Sequence, residues 1–234
     1  MVRGMAMTKP EAGAFYRLMA WLSPAYPTGA FSYSHGLEYA VEVGLVGESG
    51  ALAAWVRTVL EKGAAWIDAL ILAEAWRAAA AADLGRLGEV ATLAAAWRGT
   101  AEMALESEAQ GRAFLTATRA AWPHPLLDAL AGASETIALP VAVGAAAGAA
   151  EIPLELSLQA YLQSLAANLV SAGLRLIPLG QTDGQRIIAD LASAIADTAQ
   201  RALAAELETA GSAAPLIDWC SMQHETQYTR LFRS

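Results

Sequence analysis

Leu158-Gln159-Ala160-Tyr161-Leu162-Gln163-Ser164-Leu165-Ala166-Ala167-Asn168-Leu169 decides the fold class. Leu158, Tyr161, Leu162, Leu165 and Leu169 fall three or four residues apart, which stacks them on one face of a helix. The same spacing recurs at Phe15, Leu18, Met19 and Leu22, and again at Leu52, Trp55, Val56, Val59 and Leu60. Sustained alternation of β-branched residues, the mark of a half-buried strand, is almost missing, and alanine, the best helix former, fills the intervals. The chain reads as all-α: a single-domain bundle of roughly eight to ten helices with a C-terminal tail.

Punctuation sets the boundaries. Asp83 is placed to cap a helix running toward Trp97, and Thr100 another reaching Ala121, which Pro123 and Pro125 then break. Pro153 stands where a first helical turn tolerates proline. Asp183 is read as the cap of one long helix from Gly184 to Glu208. Gly211-Ser212-Ala213-Ala214-Pro215 is the clear linker, dividing an all-α domain, residues 1–210, from a linker and partner-binding tail, residues 211–234. Such a tail is expected to be loosely held unless something ties it down.

The composition narrows the function classes. Of 234 residues 56% are hydrophobic, above ordinary usage, yet no uncharged apolar run reaches about 18 residues. Trp66 to Trp76 is interrupted by Asp68 and Glu74, and Ile137 to Ala150 is short and carries Pro140, Gly144 and Gly148. Met1 to Ala20 does not read as a signal peptide, since Lys9 and Glu11 break its apolar stretch. The expectation is a cytoplasmic, non-membrane protein whose excess apolar surface goes into a partner interface, the alternative sink being alanine-rich helices. A net charge of -8 argues against nonspecific nucleic-acid binding. Cys220, the one cysteine, excludes an internal disulfide and a cysteine-rich zinc site.

Few residues suggest chemistry. Gly180-Gln181-Thr182-Asp183-Gly184-Gln185-Arg186 lacks the lysine and hydroxyl of a phosphate loop and reads as a turn. Ser32 and Ser34 lie outside any nucleophile elbow, and His35 reads as a polar residue in a first helical turn after a Ser34 cap. Cys220 and His224, four apart, are weak metal candidates: a thiolate and an imidazole suit nickel, copper or zinc, but two ligands do not close a site, and an interface role is the preferred reading. Tyr228, Arg230, Leu231, Phe232 and Arg233 combine the aromatic and arginine types that dominate binding hot spots.

Three segments carry a family resemblance. They are Leu22-Ser23-Pro24-Ala25-Tyr26-Pro27-Thr28-Gly29-Ala30-Phe31-Ser32-Tyr33-Ser34-His35-Gly36-Leu37-Glu38, Arg175-Leu176-Ile177-Pro178-Leu179-Gly180-Gln181-Thr182-Asp183-Gly184-Gln185-Arg186, and Ser221 to Ser234. In that order they resemble the UreF family of urease accessory proteins. The resemblance implies a non-enzymatic factor without a cofactor of its own, required for nickel insertion and maturation of the urease metallocentre. It further implies a homodimer and a scaffold linking a UreD/UreH-like protein to a UreG-like GTPase on apo-urease. The partner-binding residues it points to are Tyr33, Ser34 and His35 in the first segment, Gln181, Gln185 and Arg186 in the second, and His224, Glu225, Tyr228, Arg230, Leu231, Phe232 and Arg233 in the tail. The alternative is direct activation of the GTPase by a supplied arginine, with Arg186, Arg230 and Arg233 as candidates.

Overall fold

A computed structural model describes residues 9–134 and 136–234. Part of the leader reading, Met1 to Thr8, lies outside them. The described residues form twelve α-helices and no strand: α1 (Lys9–Trp21), α2 (Leu37–Glu42), α3 (Ser49–Lys62), α4 (Ala64–Ala80), α5 (Leu84–Ala96), α6 (Ala101–Ala121), α7 (Pro125–Ala133), α8 (Leu139–Ala149), α9 (Leu154–Leu176), α10 (Gln181–Asp190), α11 (Ala192–Ala204) and α12 (Pro215–His224). The all-α expectation holds, with more helices than expected.

One of the extra helices comes from a correction. The segment read as a single helix from Gly184 to Glu208 is broken at Leu191, with a single 3-10 turn at Leu207–Thr209 beyond it. No proline or glycine marks the break; it is set by packing, because Leu191 is wholly buried and lets α10 lie on α3 and α9 while α11 lies on α3, α4 and α9. The cap also moves. Gly180 is the N-cap, and Asp183 in the first turn accepts the Gly180 N–H at 3.0 Å, a capping-box arrangement with the carboxylate inside the helix. The other caps lie where expected: Asp83 accepts from the Arg86 N–H at 2.9 Å and Thr100 from the Met103 N–H at 3.2 Å.

At the centre α4 and α8 pack against each other and are buried on nearly every face. Gly144 and Gly148 make the approach possible, since a Cβ on either would sit 2.5 Å from a carbonyl oxygen of α4, that of Leu72 or Trp76. The two apolar stretches that fell short of a membrane span are therefore core helices, and no described helix is long and apolar enough to cross a membrane. Alanine-rich helices absorb part of the hydrophobic excess. Part of the rest lies on the surface, including Phe15, Tyr16 and Met19 of α1 and Leu216, Trp219 and Met222 of α12.

The linker is tied to the bundle, for the Ala213 N–H donates to the Lys62 carbonyl at 2.8 Å. Beyond it α12 packs on α2 and α6, and Ile217, Cys220 and Phe232 share the core formed by the preceding helices.

Candidate functional interface

The proline- and glycine-rich loop after α1 is held by its aromatic ring. Tyr26 packs on Phe114 and Trp122 at 5.3 and 6.4 Å between centroids, and its hydroxyl meets Thr118 Oγ1 at 2.7 Å. Gly29 and Gly36 then adopt φ of 75° and 74°, a left-handed conformation that glycine enters without steric cost. His35 precedes α2 with φ of 52°, so it is not in the first helical turn. Gly36 is the N-cap, and the Ser34 hydroxyl oxygen accepts the Glu38 N–H at 3.3 Å.

These turns aim Ser34, His35 and Glu38 at the chain's last residues. The Ser34 N–H and hydroxyl both donate to the Ser234 carbonyl at 2.6 Å, and the Arg233 N–H donates to the Ser32 carbonyl at 2.8 Å. Glu38 takes the next two backbone donors: Leu231 N–H on Oε1 at 2.6 Å and Phe232 N–H on Oε2 at 2.9 Å. Its Oε2 also lies 3.1 Å from His224 Nε2, while His224 Nδ1 meets Glu102 at 2.8 Å and Glu102 meets Arg230 at 2.9 Å. Glu106 closes the other side, accepting from Gln110 at 2.8 Å and the Ser234 hydroxyl at 2.7 Å and bonding His35 Nε2 at 2.8 Å. Burial alone would lower the His35 pKa; the charge and hydrogen bond of Glu106, helped by Asp68, outweigh it and raise it.

Below this lies a second buried polar group. Arg98 pairs with Asp68 at 2.6 Å, and the Tyr161 hydroxyl donates to the other Asp68 oxygen at 2.6 Å. Burial, reinforced by the Asp68 charge and hydrogen bond, pushes the Tyr161 phenol well above its ordinary range. With Trp21, His35 and Glu106 these residues line a cavity of about 80 Å³.

The tail residues divide by side. Phe232 and Ser234 are buried, whereas Leu231 and Arg233, which alternate with them, face out. Phe232 lies under the Arg175 guanidinium, 4.3 Å from its ring centroid, so the first, second and third motif segments meet there. Tyr228 is fully exposed, Glu225 is exposed, and Arg230 is 40% exposed beside Glu102. Tyr33, Ser34, His35 and His224 are interior or nearly so, and their contacts are within the chain. Gln181, Gln185 and Arg186 are exposed on the first turns of α10; Arg186 pairs with Asp183, and among the described residues no hydrogen bond joins this turn to the tail network.

As a metal pair, Cys220 and His224 fare poorly. Cys220 is buried and burial pushes its thiol up to about 11, away from the thiolate a metal needs. Both His224 nitrogens already face carboxylates. Among the described residues no group of three or more histidine, cysteine, aspartate or glutamate side chains is arranged to hold an ion.

Sequence reading passed over the glutamates and the aspartate that organise this region. Their signal was present: Asp68 interrupts an apolar helix, and Glu102, Glu106 and Gln110 recur at four-residue spacing on one face of α6.

Comparison with known proteins agrees with the motif segments. The UreF family model matches residues 46–192. The chain is 57% identical over 222 residues to "Urease accessory protein UreF" of Granulibacter bethesdensis, covering 94% of each chain. It is 49% identical over 229 residues to the protein of that name from a Bradyrhizobium species, covering 98% and 95%, and 49% identical over 232 residues to that of Rhodopseudomonas palustris, covering 97% and 94%. On the family model and on these identities over nearly the whole length, the chain belongs to the UreF family of urease accessory proteins.

Proposed function

We propose that this protein is a cytoplasmic urease maturation factor, without catalytic activity of its own, that serves nickel insertion as a scaffold between a UreD/UreH-like protein and a UreG-like GTPase. Nickel is cargo of the assembly. The observation that carries the reading, beside family membership, is the docking of the tail on the first motif segment through Ser34–Ser234 and Glu38–Phe232. That docking leaves Tyr228, Leu231 and Arg233 exposed, and exposed aromatic, aliphatic and arginine side chains suit a partner contact. The apolar faces of α1 and α12 support a homodimer or a second partner contact, since large exposed apolar patches mark interaction sites.

A second reading, that the chain stimulates the GTPase with an arginine, is favoured at one position. Arg230 and Arg186 are engaged by Glu102 and Asp183, whereas Arg233 makes no ion pair among the described residues. An arginine offered to developing phosphate charge must be unspent.

Co-expression with UreD-like and UreG-like proteins, followed by sizing and metal analysis of the copurified complex, tests both readings. A ternary complex with nickel only in the presence of the partners is expected. A chain that copurifies with neither partner overturns the scaffold; a ternary complex whose GTP hydrolysis is unchanged by Arg233→Ala overturns the arginine reading.

A further inference from the structure

The last four residues alternate out, in, out, in, the periodicity of a strand laid on a surface. Main-chain bonds hold them to the segment that precedes α2. The Arg233 N–H donates to the Ser32 carbonyl and the Ser34 N–H to the Ser234 carbonyl, two main-chain bonds in opposite directions between the tail and the segment before α2. Glu38 receives the two N–H groups that follow upstream, Leu231 and Phe232. Phe232 fills a pocket roofed by Arg175, and the Ser234 hydroxyl reaches Glu106. Main-chain pairing for affinity and alternate side-chain pockets for selectivity are the two elements of extended-peptide recognition.

The segment leading to this strand is slight. Glu225, Thr226, Tyr228 and Thr229 are exposed, and after α12 no helix intervenes. The receptor residues, by contrast, stand on other elements: Ser34 and Glu38 at the start of α2, Glu106 on α6 and Arg175 on α9. They keep their mutual ties when the strand is set aside, through Glu38–His224–Glu102 and Glu106–Gln110.

We propose that the groove between the Ser32–Glu38 segment, α6 and the end of α9 is an exchangeable binding site for an extended peptide, occupied here in cis by the chain's own residues 231–234. The ligand it accepts has two consecutive free N–H groups facing Glu38, an aromatic side chain under Arg175 and a hydroxyl two residues further on. In trans, the ligand that fits is the same segment of a second copy. Nothing in this inference depends on the urease partners.

The test uses the full chain with a specific protease sequence inserted between the exposed residues Tyr228 and Thr229, cleaved after folding. The probe is a fluorescent synthetic peptide of residues 229–234, Thr-Arg-Leu-Phe-Arg-Ser, followed by anisotropy against the cleaved protein. Saturable exchange is expected. Binding should fall at least tenfold when the peptide carries alanine at the Phe232 position, and at least tenfold when the protein carries Glu38→Gln, whose amide nitrogen meets a donor where an acceptor is needed. If that variant does not fold, the altered peptide decides alone. Failure of the probe to enter overturns the proposal. So does equal binding of the parent and alanine peptides, or loss of the helical circular dichroism signal on cleavage, which would make the segment indispensable to the helical fold.

Discussion

Gly36 lies against Ser221 so closely that a Cβ on Gly36 would sit 2.6 Å from the Ser221 nitrogen. The start of α2 thus rests on the backbone of α12, and no rotamer change can relieve an added atom there. Gly29 has the same left-handed backbone, but nothing lies within 4 Å of its Cβ position. Gly29→Ala should therefore cost only the conformational strain, about 1 kcal/mol. Gly36→Ala should add a backbone clash and cost about 3 kcal/mol or more. Urea unfolding of the two variants checks the ordering; equal losses would show that α12 moves freely away from α2.

Removing one member of the Asp68–Arg98 pair should be severe, because both side chains are nearly buried, at 6% and 7% exposure. Asp68→Ala leaves the guanidinium uncompensated and should cost about 3 to 5 kcal/mol. The double variant Asp68→Leu with Arg98→Met removes both charges and should cost less than either single change. A double-mutant cycle from denaturant midpoints reads this coupling directly, and additive losses would contradict it.

The two neighbours Leu231 and Phe232 should separate stability from assembly. Phe232→Ala empties a buried site and is expected to lower stability by about 3 kcal/mol. Leu231 is 64% exposed, and Leu231→Ala should change stability by less than about 0.5 kcal/mol while weakening copurification with UreD-like or UreG-like partners. Unaltered assembly in the Leu231 variant would remove that residue from the interface.

Stability should also fall toward alkaline pH. Folding raises the His35 pKa above its ordinary 6.5, so the protonated ring contributes stabilisation that is complete below the unfolded value and is lost as pH rises through the folded one. Denaturation midpoints measured from about pH 6 to about pH 8.5 should decline, and His35→Gln should flatten that decline. An identical slope in the variant would assign the effect to other groups.

Much of this could be read from local pattern. The stripe through Leu158 and Leu169 and the Asp83 and Thr100 caps are local, and local rules located them. The break at Leu191 was hidden because it arises from contacts with three other helices. The site residues divide in the same way. The hot-spot composition of the tail was visible, but which side each residue faces depends on Glu38 and Glu106, which lie about 200 and 130 positions earlier and are joined to the tail only by folding. Sequence adjacency therefore grouped Leu231 with Phe232, while the structure puts them on opposite sides.

The alternation of residues 231–234 fixes a reading frame. Shifting the strand by one position would turn Arg233 inward toward Glu106 or Arg175 and expose Phe232, exchanging a ring for a charge in a pocket shaped for the ring. The distance from His224 to Leu231 is thereby as much a part of the message as the side chains themselves. A change in the number of residues between them would be absorbed only where Tyr228 and its neighbours loop into solvent, so that stretch carries the tolerance to length and the four residues after it carry none.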